Sequence, residues 1–316
     1  MATLITGGAG FIGLEVTRLL LERGEKRPFV FSRAPTPARL GSLAGDVEAV
    51  AGDVGNFSHV LDAVKAAHPN TIYHLGAMLS VPSDADPARA IQTNAMGTFY
   101  VLEAARLFGV ERVVFSSSLG TYGHDLPDAL DDRTLQRPSL FYGATKVFGE
   151  HMGLYYRRKH GLDFRGIRYP SVIGPGVTTP GVVQYTSWAI EQPAKGNAFT
   201  IWARPETKTP VMYIKEAAEA TVRLAEAPPE RIETVNYLVD GRKPTPTAAE
   251  IAEAVRARIP DARIDFDPDP ELQPLLDGLG RPIDDSRARE EWGWRPTFDI
   301  VAMVDDFLQT LDDRDR

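Results

Sequence analysis

The chain contains no cysteine. Disulfide bridges, thiolate nucleophiles and cysteine-held zinc are therefore excluded. It also lacks any apolar run approaching the roughly 20 residues that cross a bilayer, so no membrane partner is expected. Positive charge is in deficit: 35 lysines and arginines face 43 aspartates and glutamates, a net charge of −8. That balance disfavours nucleic acid and anionic surfaces as partners. No internal repeat or low-complexity tract interrupts the 316 residues, and no metal site is expected. A glycine-rich stretch starting at residue 6 leaves no room for a signal peptide, which makes the cytoplasm the expected location. The remainder is ordinary globular composition, 43% hydrophobic and 25% charged, long enough for one large α/β domain or two smaller ones.

What the sequence does contain is organised around Thr6-Gly7-Gly8-Ala9-Gly10-Phe11-Ile12-Gly13. A short apolar run, Ala2–Ile5, precedes it, and Leu14–Leu21 follows with helical spacing and Gly24 as a stop. Glycines at a strand-to-helix turn form a dinucleotide fingerprint. Gly7 permits the tight turn, Gly10 lets backbone approach a pyrophosphate, and Gly13 lets helix and strand pack closely. The first helical turn, Phe11-Ile12-Gly13, offers free N–H groups and the positive end of the helix dipole to phosphate.

Further strands are expected at Pro28–Ser32, Val47–Val54, Thr71–Ala77, Arg112–Ser116 and Gly161–Arg168. Helices are expected at Phe57–Ala67, from about Asp86 to Phe108, and after the Leu119–Pro138 loop. This alternation predicts an α/β, Rossmann-type, doubly wound parallel sheet. Residues 1–169 would form the dinucleotide-binding domain and 170–316 a smaller α/β substrate region, with about 210–240 returning to the first domain. Within that stretch, Pro210–Ile214 and Thr234–Val239 are expected back in the main sheet, and Thr247 caps a helix reaching about Ile259. Strand two ends in Ser32-Arg33 where an NAD enzyme usually carries a carboxylate for the ribose 2′-OH. A hydroxyl and a guanidinium suit a 2′-phosphate, so NADP is favoured over NAD. Asp53 is placed to accept from the adenine amino group, or else to cap the next helix. His74 reads as a core histidine, and Asn94 as a mid-helix side chain with either a local hydrogen bond or solvent to satisfy it.

Tyr142 and Lys146 stand four apart on the helix after the fifth strand and so share a face. A tyrosine with a normal pKa of about 10 becomes a usable base when an ammonium and a nicotinamide cation favour its phenolate. Ser118, at the end of the adjacent strand, could hold the substrate oxygen. The chemistry is proton removal from a carbinol coupled to hydride transfer.

With Asp53-Val54, His74-Leu75-Gly76-Ala77, Asn94, Ser116–Ser118, Tyr142…Lys146 and Arg168-Tyr169-Pro170 in order behind the fingerprint, the chain resembles the extended short-chain dehydrogenase/reductases of the NAD-dependent epimerase/dehydratase family. The resemblance implies Ser118, Tyr142 and Lys146 as the catalytic set. It implies cofactor contacts from Gly7, Gly10, Phe11, Ile12, Gly13, Ser32, Arg33, Asp53, Val54, Leu75, Gly76, Ala77, Asn94, Ser116, Tyr142, Lys146 and Tyr169. It also implies a homodimer built through the helices after strands four and five. Two diphosphate contacts usual in nucleotide-sugar epimerases are replaced, one by Ser171 and one by Thr209-Pro210. Thr207–Tyr213 and Ile283–Trp294 are instead similar to the short-chain L-threonine 3-dehydrogenases, as is Ser80. Departures from that group are the short Gly174–Val177 loop and Ser32 itself. The favoured reading is an NAD(P)-dependent dehydrogenase acting on a small hydroxy compound held by Ser80, Ser118, Tyr142, Thr178 and Thr179. A nucleotide-sugar epimerase or dehydratase is second, and a non-catalytic dinucleotide-binding regulator third.

Overall fold

The computed structural model describes residues 2–314. Its strands are β1 (Thr3–Thr6), β2 (Phe29–Ser32), β3 (Glu48–Ala51), β4 (Thr71–His74), β5 (Arg112–Ser118), β6 (Asp163–Tyr169), β7 (Ser171–Ile173), β8 (Phe199–Ile201), β9 (Val211–Tyr213), β10 (Asn236–Leu238) and β11 (Ile264–Phe266). Seven of them form one sheet in the order β10-β6-β5-β4-β1-β2-β3, every neighbouring pair parallel. This is the doubly wound α/β arrangement, its strand order reversing beside β1, where a crevice opens at the carboxyl ends.

Parallel strands are covered on both faces, so their residues alternate between two cores. Ile5, Tyr73 and Val114 join one cluster with the helices Phe11–Glu22 and Ile214–Glu226. Their neighbours Leu4, Ile72 and Val113 join the opposite cluster with Val60, Val64 and Val101. Side-chain chemistry fixes the helix ends. Asn56 accepts from the Ser58 and His59 amides at the start of Phe57–Ala67. Gly109 and Gly161 close Gly97–Phe108 and Phe141–His160 in the left-handed conformation. Buried Arg165 donates to the Leu224 and Ala227 carbonyls at 2.5 and 2.7 Å, satisfying the end of the Ile214–Glu226 helix.

The structure corrects the sequence reading in three places. β9 does not return to the main sheet: it pairs with β7 in a separate two-stranded ladder. Only β10 returns, alongside β6. The helix expected from about Asp86 to Phe108 does begin at Pro87 behind an Asp86 cap, after a separate helix at Ser80–Ala85, but it is not uniform. It widens into a π turn at Ile91–Met96. β3 stops at Ala51, so Asp53 lies beyond the strand rather than at its end. Residues after 170 build a third core around Ile173, Tyr185, Ile190, Tyr213, Ile251 and Phe307, with β8 and β11 as a further parallel pair.

Candidate active site

One cavity of about 950 Å³ runs along the carboxyl ends of the strands and into the region after residue 170. Every residue named above as a site candidate lines it except Asn94. At its N-terminal end Gly7 has φ +70°, and a Cβ there would lie 2.7 Å from the Gly76 backbone. A Cβ on Gly13 would lie 2.3 Å from the Gly7 carbonyl oxygen. Both positions therefore require glycine. The helix that follows has no side-chain cap, which leaves its first amides for an anion. This cradle fits a dinucleotide pyrophosphate.

The far end of the same stretch holds Ser32 and exposed Arg33. The structure adds Arg18, Arg39 and Ser42, which the sequence reading missed. Arg39 and Ser42 lie in the short helices Pro37–Leu40 and Gly41–Leu43 after β2, which only the tertiary fold brings to the cavity. Asp53 lines the wall, but its Oδ1 accepts the Gly55 amide at 2.8 Å, and Asn56 serves as the helix cap.

Of the two readings of Asn94, the structure takes the hydrogen-bonded one. The side chain is buried behind the wall, where Oδ1 accepts from the Met78 amide at 2.7 Å and Nδ2 donates to the Met78 carbonyl at 3.0 Å and Thr145 Oγ1 at 3.1 Å. Thr145 in turn donates to the Tyr142 carbonyl at 2.7 Å. Asn94 thus ties the wall strand's exit to the helix bearing Tyr142, and the π turn is where its carboxamide departs from the regular helix. His74 has both ring nitrogens occupied. Thr98 gives its proton to the Asn94 carbonyl, so its Oγ1 accepts from Nε2 at 3.0 Å, while Thr6 Oγ1 donates to Nδ1 at 2.7 Å. Burial, with Lys146 adding to it, pushes the imidazole down to about 3, which keeps it neutral and structural.

Ser118, Tyr142 and Lys146 meet at the middle of the cavity. β5 runs two residues further than its sequence pattern suggested, pairing Ser118 with Tyr169. Ser118 Oγ accepts from the Gly120 amide at 3.0 Å. Lys146 Nζ donates to the Ser116 carbonyl at 2.6 Å and lies 5.6 Å from the Tyr142 ring centre. Burial pushes the Tyr142 phenol up to about 12, opposed by a hydrogen bond with Ser118. Burial likewise pulls Lys146 down to about 7, opposed by the Glu150 carboxylate one turn along. Glu150 sits in a bidentate buried pair with Arg168, at 2.9 and 2.6 Å. Ser117 donates to the same carboxylate.

The remaining wall comes from Ser80, Thr93, Pro170–Val172, residues 175–179 and 181–184, and Thr209-Pro210. Among the described lining residues the charged ones are Arg18, Arg33, Arg39 and Asp53 at the first end, and Lys146. The substrate wall therefore bears hydroxyls, backbone and the Gln184 amide but no ionised side chain. Arg204 does not line it and is paired with Glu206 and Asp277 at 3.1 and 2.7 Å. Lys208 does not line it either. Ser171 is engaged with Thr186 Oγ1 at 2.9 Å, and Thr209 with the Tyr185 hydroxyl at 2.5 Å. Ser80 Oγ accepts from the Val182 amide at 3.3 Å, so it bridges to the opposite wall.

Residues 3–237 match the NAD dependent epimerase/dehydratase family. The mitochondrial L-threonine 3-dehydrogenase of Sus scrofa is 33% identical over 310 residues, covering 96% of this chain and 81% of the relative. An L-threonine dehydrogenase from Cupriavidus necator in its holo form superposes with a TM-score of 0.90 at 30% identity, covering 98% of this chain and all of the other. A Thermus thermophilus UDP-glucose 4-epimerase in complex with NAD superposes at 0.82 and 28% identity, covering 97% and 99%.

Proposed function

The chain belongs to the NAD dependent epimerase/dehydratase family and is an oxidoreductase using a nicotinamide cofactor, and from that premise we propose that it oxidises the 3-hydroxyl of L-threonine or a closely similar small hydroxy amino acid. The observation that carries this reading is the uncharged substrate wall. A nucleotide sugar would bring a diphosphate that needs compensation for its desolvation. The two positions where a diphosphate contact would stand carry Ser171 and Thr209, whose hydroxyls are already bonded within the protein. A zwitterionic amino acid has no net charge, and the wall's hydroxyls and amides can serve both of its ends. Thr178 and Thr179 hydroxyls and the Gln184 amide make no side-chain hydrogen bond among the described residues, so they are available to it.

The roles follow from position. The cofactor, when bound, supplies the hydride acceptor. Ser118 and Tyr142 hold the carbinol oxygen between them. Tyr142 takes the hydroxyl proton as the C3 hydrogen leaves with its electron pair, giving the 2-amino-3-ketoacid, reduced nicotinamide and one proton. Lys146 holds positive charge beside the phenolate, and the one proton of the balance is the carbinol proton that Tyr142 takes and then releases to solvent. The same proposal includes two finer statements. NADP binds at least as well as NAD, supported by Ser32, Arg33 and Arg39 and by the absence of a carboxylate at the end of β2. The chain works in the cytoplasm as a homodimer, its second copy covering exposed Leu107, Phe108, Phe148, Leu154 and Tyr155 on two long helices; sedimentation and cell fractionation test these. The deciding assay is cofactor reduction followed by absorbance with L-threonine and with UDP-glucose, using NAD and NADP in turn. Net stoichiometric reduction with the amino acid is expected. Binding of UDP-glucose with no net reduction would instead favour the epimerase reading.

A further inference from the structure

The loop that shapes the substrate end, residues 174–183, is fastened by one helix, Tyr185–Ala194. Ser187 Oγ accepts the Gly174 amide at 3.3 Å. Trp188 Nε1 donates to the Val177 carbonyl at 3.0 Å. Glu191 Oε2 accepts the Gly176 amide at 3.1 Å, while its Oε1 is held by Lys195 at 2.5 Å. These three residues stand at i, i+1 and i+4 on one helix. A second indole, Trp202, meets Trp188 edge to face and donates to the Val182 carbonyl at 2.8 Å. Ser80 reaches the Val182 amide from across the cavity. Backbone groups that a short loop would leave to water are thus taken by fixed side chains, and Gly176, at φ +81°, gives the turn that allows this. A loop held through its first four residues and again at Val182 has little freedom to widen, so its own backbone becomes the size limit of the pocket.

We propose that Trp188 and Glu191 are specificity-determining positioning residues, which fix the 174–183 rim and so confine the site to hydroxy compounds about the size of threonine. The proposal rests on the dehydrogenase reading for its choice of substrates, but its mechanical part does not. Trp188→Phe keeps one aromatic ring but removes the N–H donor together with part of the indole that meets Trp202; Glu191→Ala removes the second clamp. Amide hydrogen exchange of a peptide covering 174–183, dissociation constants for NAD and NADP, and KM and kcat for L-threonine and for a bulkier 3-hydroxy amino acid are measured on the full chain. Loss of one hydrogen bond at the rim is expected to raise KM for L-threonine about five- to tenfold. The expected companions are faster exchange in that peptide, cofactor affinity and kcat within about twofold of wild type, and a preference shifted toward the bulkier substrate. Unchanged exchange in Trp188→Phe, or a parallel fall of kcat and cofactor affinity, overturns the proposal. If wild-type protein oxidises neither substrate, the function reading fails while exchange and cofactor affinity still decide the clamp.

Discussion

Replacing Lys146 with methionine keeps the bulk of its buried stem and deletes its charge. In the intact protein burial sets the lysine near pH 7 and the Tyr142 phenol near 12. The pair therefore loses its first proton around neutrality and keeps the second mostly on the phenol, with a minor ammonium–phenolate form in constant proportion up to high pH. Oxidation needs this singly deprotonated form, because the phenolic oxygen must be free to take the carbinol proton. Wild-type turnover should rise with pH and level off above about 7. In Lys146→Met only the phenol remains to titrate. A pKa of 12 leaves an ionised fraction of about 10⁻⁴ at pH 8. The cation 5.6 Å from the ring is worth about 3 kcal/mol at an effective dielectric of 20, or about two pKa units. At pH 8 a lysine titrating near 7 is still charged in about a tenth of molecules, so the two-unit gain acts on that tenth and turnover should fall by about tenfold. Its logarithm should climb with unit slope to pH 10, with no break near neutrality. The assay is initial rate of cofactor reduction against pH at saturating substrate, beside cofactor titrations that separate lost binding from lost chemistry. A variant that binds cofactor and keeps the wild-type break near pH 7 would refute the assignment of that proton to the pair.

Arg33→Ala should weaken NADP by about ten- to a hundredfold, the loss of one charged hydrogen bond of about 1.5–3 kcal/mol, and leave NAD within about twofold; equal losses for both cofactors, by fluorescence titration, would remove Arg33 from 2′-phosphate recognition. Glu150→Gln leaves buried Arg168 without its anion, a loss of about 3–5 kcal/mol that urea unfolding at pH 8 would record; unchanged stability would mean that Arg168 finds another partner. Asp240 is fully buried, its Oδ1 meets no donor, and burial pushes its carboxyl up to about 7. The folded chain then holds a proton that the unfolded chain releases near 3.9, so this stability is fully present below about pH 4 and is lost as pH rises through 7. Asp240→Asn should raise the melting temperature by several degrees at pH 8 and by progressively less toward pH 4, and a shift independent of pH would show that the carboxyl is not the cause.

What could be read in the sequence was what neighbouring residues decide together. The fingerprint is legible because turn, helix start and close packing all fall within Thr6–Gly13, where Gly7 has its positive φ and Gly13 its missing space. Tyr142 and Lys146 are legible because helical periodicity alone aligns them. Asn94 was visible as an odd mid-helix residue, but its partners are Met78, 16 positions away, and Thr145, 51 positions away; no local pattern encodes either. β9 has the apolar run of a main-sheet strand, and nothing in Val211–Tyr213 states that β7 will pair with it. Arg39, Trp188 and Glu191 are ordinary residues in their own segments, and the fold alone brings them to the cavity or its rim. The chemistry was thus local while the selectivity is tertiary. The groups proposed to move the proton sit on one strand end and one helix turn, and those proposed to choose the substrate and the cofactor sit on loops that three dimensions bring together. Two chains could therefore share this fingerprint and this Tyr–Lys pair and act on different molecules. In the proposed function the wall contributed by Ser80, Ser171, residues 175–179 and 181–184 and Thr209 separates a hydroxy amino acid from a nucleotide sugar by withholding cations from the substrate end rather than by adding a dedicated contact.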